Sequence, residues 1–149
     1  MYRGRTRVFV SPAHRADVYR RMVRRIGCGP FDGGCLVFAQ ALQRVRGGDL
    51  FVVEGRTFFG WSAAGKPLYL GPALAQHAVL GFQGGTFMDA MGRCEKRQML
   101  LRTAHLKRFT ASAIALRPLR EGDLEEAARD DVFVDELAKV LAIAVRSPA

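Results

Sequence analysis

Cysteine is scarce in this chain, with three residues among 149, and tryptophan occurs once. Cys28, Cys35 and Cys94 are an odd number and form no Cys-x-x-Cys pair, so no disulfide framework is encoded. No zinc site is recognisable either, and neither a metal nor another cofactor is expected. The longest stretches poor in charge, Phe109 to Leu116 and Leu68 to Gly92, are too short to span a bilayer or are broken by Gly, Pro, Gln, His and Asp. No membrane span is expected. Met1 to Arg7 carries three arginines but is followed only by Val8, Phe9 and Val10 before Ser11 and Pro12, so the apolar core of a secretory signal is missing. The expectation is a chain made in the cytoplasm, with delivery elsewhere needing another route.

Acidic residues are the minority charge. Lys plus Arg number 23 and Asp plus Glu 14, a net charge of +9, and arginine supplies 19 of the basic residues. Residues 1–25 hold eight arginines against Asp17 alone, a net +7, whereas Glu121 to Glu136 holds eight acids against Arg129, a net −7. This asymmetry predicts an intramolecular dock or an oriented footprint for an acidic partner or anionic polymer. Nucleic acid is the weaker expectation, because it needs a groove-entering element or interleaved aromatic residues besides charge. With 49% hydrophobic and 25% charged residues the chain is not disordered. Its length suits a single domain over 1–149 that buries roughly two thirds of its unfolded surface.

Arg7 to Val10 reads as a short strand. Ser11 is placed to cap a helix that admits Pro12 in its first turn, carries Val18, Tyr19, Met22, Val23 and Ile26 at helical spacing, and stops at Gly27. Residues 27–34, with four glycines and a proline, form a loop. Cys35 to Arg46 is a helix closed by Gly47 and Gly48, apolar on most of its circumference and therefore central. Leu50 to Glu54, Arg56 to Phe59 and Leu68 to Leu70 read as strands, with a turn over Trp61 to Pro67. Gln76 to Phe82 and Thr86 to Met91 form a hairpin across Gly84-Gly85. Arg93 to Thr110 and Asp131 to Val145 read as helices. The order of elements predicts an α+β fold.

Cys35 directly follows Gly33-Gly34 at the start of a helix, where backbone amides and the helix dipole favour a thiolate, and the two glycines would let a substrate backbone approach. A nucleophilic thiol needs a base and a group that orients the base. His77 lies on a strand among small and aliphatic residues. Asp89 is a lone carboxylate in an apolar strand, where an unpaired charge is expensive. If the hairpin loop is odd in length, five residues (Gly81 to Gly85) or three (Gln83 to Gly85), His77 and Asp89 share a sheet face. The longer loop pairs them directly, and the shorter leaves them diagonal. Other readings stay open: Cys35 as a core thiol, Asp89 as a turn cap or arginine partner, Asp32 as a turn or cleft residue, and Cys28 or Cys94 as a resolving thiol.

The segments FDGGCLVFAQAL and QHAVLGFQGGTFMDAMG, with the third group twelve residues after the histidine, resemble the small papain-like cysteine hydrolases. The closest pattern is that of NlpC-type cell-wall peptidases and related papain-like domains of bacterial toxins and phage proteins. The resemblance covers about Gly29 to Gly92. It implies a Cys-bearing helix packed on an antiparallel sheet, with Cys35 as nucleophile, His77 as general base and acid, and Asp89 as orienter. It also implies thiol-dependent hydrolysis of a peptide or peptidoglycan-like amide through an acyl-enzyme. The chain departs from the pattern in having Gly34-Cys35-Leu36 where those peptidases often have Asp-Cys-Ser, and Asp where their third residue is often His. The backbone amide of Cys35 is the one oxyanion donor the sequence offers. The alternatives are a basic binding module and a catalytically silent papain-like scaffold.

Overall fold

The computed structural model of the protein describes residues 5–7, 12–110, 113–123 and 130–145. In chain order the elements are β1 (Arg5–Arg7), α1 (Pro12–Ile26), α2 (Cys35–Arg46), β2 (Asp49–Trp61), β3 (Pro67–Gly81), β4 (Thr86–Asp89), β5 (Gly92–Glu95), α3 (Lys96–Lys107), β6 (Ile114–Pro118), α4 (Asp131–Leu141) and β7 (Ile143–Val145). The five strands β5-β4-β3-β2-β6 form one antiparallel sheet in that order, and β1 pairs with β7 in a separate two-stranded sheet. The fold is therefore α+β.

Each face of the large sheet carries its own core. Leu80 and Met88 pack with Met22 of α1, Phe38 and Leu42 of α2, and Val134, Leu137 and Leu141 of α4. Val53, Val79 and Phe87 pack on the other side with Met99 and Ala104 of α3 and Ile114 of β6. α2 is buried at Cys35 through Ala39, Ala41 and Leu42, as its nearly uniform apolar surface implies.

Several element boundaries differ from the sequence expectation. The two short strands expected in residues 50–59 are one strand, β2, and Leu68 to Leu70 belongs to the long β3. Register shifts at Val53/Glu54, Gly55/Thr57 and Phe58/Gly60 act as bulges that absorb Gly55 and Gly60 without ending the ladder. The helix expected from Arg93 starts at Lys96, because Gly92–Glu95 pairs with β4 and Glu95 and Gln98 form a capping box at the junction. That helix ends at Lys107 rather than Thr110, where Arg108 takes a left-handed conformation with φ 58°. The last helix ends at Leu141, not Val145, since Ile143–Val145 pairs with β1. The first strand lies at Arg5–Arg7; residues 8–10 and the expected cap Ser11 lie outside the described residues. On α1, Val18 and Met22 are buried, whereas Tyr19 and Val23 are exposed.

Part of the charge asymmetry is satisfied internally. Arg25 of α1 reaches Asp130, which caps α4 by accepting from the Phe133 amide at 3.0 Å, and Arg44 of α2 binds Asp131 and Asp135. Among the described residues no helix is long and apolar enough to cross a membrane.

Candidate active site

Cys35 is the first residue of α2, so its sulfur sits where backbone amides have no helical acceptor. The loop before it is held by a bond from the Gly34 amide to the Gly29 carbonyl at 2.9 Å and by Asp32, which accepts from the Gly29 amide. Asp32 is thus a turn residue. A Cβ at Gly34 would come within 2.6 Å of Met22 Cε and 2.7 Å of the Gly29 carbonyl, so the space there is filled from inside the protein. Its missing side chain serves the packing of the loop on α1. Gly33 is exposed, with φ 128°. That conformation strains any other residue.

The β3–β4 turn is the shorter odd loop. Phe82 and Thr86 close it through a bond of 2.9 Å, Gln83 to Gly85 form its tip, and Leu80 pairs with Met88. His77 and Asp89 are then diagonal on one face, and the His77 Nε2 to Asp89 Oδ2 distance is 3.0 Å. Both residues are 2% exposed. β3 and β4 pair only at Leu80 and Gly81, and beyond them the ladder opens. Hydrogen bonding from His77 and from the backbone of Ala78 acts on the Cys35 thiol.

Burial pushes the Cys35 thiol up, but the hydrogen bond and charge of His77 outweigh it, helped by the Ala78 backbone and the Lys107 cation; the net direction is down. Burial opposes the imidazolium of His77, while hydrogen bonds to Asp89 and Cys35 and the charges of both raise its pKa above the usual value. Both shifts favour a thiolate beside an imidazolium. Burial raises the pKa values of Cys28 and Cys94, so the three free thiols are not equivalent.

Four residues that sequence reasoning missed complete the surroundings. Arg102 of α3 donates to Asp89 Oδ1 at 2.8 Å and to the Gly92 carbonyl at 3.2 Å. The Met91 amide donates to the same carboxylate oxygen at 2.9 Å. Asp89 is therefore both the histidine's partner and an arginine's. Phe31 stacks on His77 with ring centroids 5.6 Å apart and an interplanar angle of 24°, and its carbonyl accepts from Lys107 at 3.2 Å. No local pattern marks Arg102 or Lys107, which are two of several basic residues on α3.

His77 is thus paired with Asp89 at 3.0 Å and acts on the Cys35 thiol by hydrogen bonding and charge. Among the described residues no group of three or more His, Cys, Asp or Glu side chains is arranged to hold a metal ion. No protein-family model matches the chain, and no curated protein or solved structure is significantly similar to it.

Proposed function

We propose that this protein is a papain-like thiol hydrolase that cleaves an amide or peptide bond through an acyl-enzyme. One observation carries the reading: a thiol at a helix N-terminus beside a buried imidazole whose Nε2 lies 3.0 Å from a buried carboxylate. The Cys35 thiolate attacks the carbonyl carbon, and the Cys35 amide donates to the oxygen as it gains charge. The His77 imidazolium gives its proton to the leaving nitrogen and the C–N bond breaks, leaving a thioester on Cys35. A water molecule then loses its proton to His77 and attacks the thioester carbonyl, which releases the acid and restores the thiolate. Asp89 fixes the tautomer and plane of His77 throughout. Arg102 and the Met91 amide hold Asp89 in place, and Phe31 holds the other face of the ring. A peptide or peptidoglycan-like chain is the substrate class, reached through Cys35, the 8% exposed member of the three.

The test is the alkylation rate of each cysteine by iodoacetamide across pH 4 to 9, about the range of thiolate titration, read by peptide mass spectrometry in wild type and His77→Ala. The expected result is modification of Cys35 well below the ordinary thiol range, collapsing in the variant, with Cys28 and Cys94 slow at the same pH. Slow labelling of all three thiols, independent of His77, would make Cys35 a core thiol and overturn the reading.

A further inference from the structure

β2 and β3 run well past their neighbours. β6 pairs with β2 only from Phe51 to Gly55, and β4 pairs with β3 only at Leu80 and Gly81. Among the described residues, the distal ribbon from Arg56 to Leu74 therefore has both edges unpaired, and a two-stranded ribbon alone is marginal in water. Of the eleven exposed large apolar residues among those described, five lie on it: Phe59, Trp61, Leu68, Leu70 and Leu74. Phe59 and Trp61 are each 67% exposed. The ribbon carries Arg56 and Lys66, and no acid occurs between Glu54 and Asp89.

The distribution of these side chains selects the occupant. Phe58, Tyr69 and Trp61 meet on one face, with Phe58 centroids 5.4 Å from Trp61 and 6.4 Å from Tyr69, and Arg56 stands over Tyr69 at 4.8 Å. Leu68 and Leu70 flank Tyr69 along the strand and so point to the opposite face. A rigid protein partner would cover one face and leave the other wet. Strand addition to an edge is impeded by the bulges of β2, by Pro67 and Pro72, and by Gly71 at φ 68°. A fluid medium solvates both faces together, and the surface charge of an anionic bilayer complements a ribbon whose only charges are positive. The unpaired edges fix the depth, because backbone groups without partners are not tolerated in hydrocarbon but are satisfied among hydrated headgroups.

We propose that the distal β2–β3 ribbon is a shallow anchor for anionic phospholipid bilayers. It lies in the headgroup region with Trp61 and Leu70 at the acyl boundary, and Arg56 and Lys66 face lipid phosphates. The inference is independent of the chemistry at Cys35.

Trp61 is the single tryptophan of the chain and reports directly. The full-length protein is mixed with phosphatidylcholine vesicles with or without about one third phosphatidylserine, and both co-sedimentation and Trp61 emission are followed. A blue shift is expected on the anionic vesicles, with stronger quenching by lipids brominated near the headgroup than by those brominated near the chain end. Phe59→Ser with Leu70→Ser weakens partitioning about tenfold or more, and Lys66→Gln weakens it about fivefold. All three sites are exposed, and an unchanged urea midpoint shows that the variants are folded. Three outcomes overturn the proposal. Emission is unchanged by vesicles; vesicle binding survives the Phe59→Ser, Leu70→Ser pair; or emission shifts with protein concentration alone as a dimer sediments, which would mean that a second copy covers the ribbon.

Discussion

Replacing Arg102 by methionine removes the cation behind the candidate triad while keeping most of the apolar stem. Arg102 is 20% exposed at its side chain and Asp89 only 2%, so the carboxylate loses its charged partner in a largely dry setting. The hydrogen bond to Asp89 at 2.8 Å is charge-assisted and worth about 1.5–3 kcal/mol, and the one to the Gly92 carbonyl about 1 kcal/mol. The expected loss is about 3 kcal/mol, at the low end for breaking a buried pair, because the Met91 amide and His77 still serve the carboxylate. At roughly 2–4 °C per kcal/mol for a chain near this size, the melting midpoint falls by roughly 6–12 °C. Urea unfolding of wild type, Arg102→Met, Asp89→Asn and the double variant closes a thermodynamic cycle. If Arg102 acts on the charge of Asp89, its removal costs about 1 kcal/mol or less in the Asp89→Asn background. An equal cost in both backgrounds refutes the argument. A second readout separates positioning from mere support. With the guanidinium gone, Asp89 is less balanced and the His77 imidazolium is favoured further, so the alkaline limb of His77-dependent Cys35 alkylation moves to higher pH. An unmoved limb would leave Arg102 a purely structural residue.

Gly34→Ala drives a methyl group into Met22 and the Gly29 carbonyl, and a loss of about 1–3 kcal/mol in urea unfolding is expected, with slower Cys35 alkylation as the loop shifts; an unchanged midpoint would disprove the close packing. Phe31→Ala uncovers His77, and Cys35 should react faster with bulky maleimides while small reagents gain little; equal gains for both would show that the ring does not gate access. Asp123 accepts two bonds of 2.7 Å from Arg117, which outweigh its burial and hold its carboxyl below the usual range. Its stabilisation is complete above the unfolded carboxylate pKa and is lost as pH falls through the folded value. Asp123→Asn should therefore lower the midpoint at neutral pH and flatten its acid-side fall, and a slope equal to wild type would count against the pair.

Local signals carried the helices and the site geometry a long way. Gly27 and Gly47 end α1 and α2 where the sequence places their stops, and Cys35 opens α2. The parity of the Gln83–Gly85 loop brings His77 and Asp89 to one face, one of two loop lengths that the sequence left open. What stayed hidden depends on contacts distant in the chain. Arg93 to Glu95 has helix-compatible residues and joins strand β5 only because β4 supplies a ladder. Ile143–Val145 leaves the helical pattern because β1 offers a partner. Gly55 and Gly60 look like breaks, and only the register with β3 turns them into bulges. Arg102 and Phe31 reach the site through the packing of α3 and the 27–34 loop, which no spacing within their own segments encodes.

The β1–β7 sheet joins Arg5 to Val145, so every other element of the fold lies within the loop that it closes. Closure entropy grows only logarithmically with loop length, but a contact of such separation cannot form until Ile143–Val145 has left the ribosome. The candidate site draws on Cys35 through Arg102, all synthesised well before β7. During synthesis the thiol, imidazole, carboxylate and guanidinium can therefore assemble on the sheet while α4 is still missing. The face of α2 that α4 will cover stays wet until α4 docks and β7 pairs with β1.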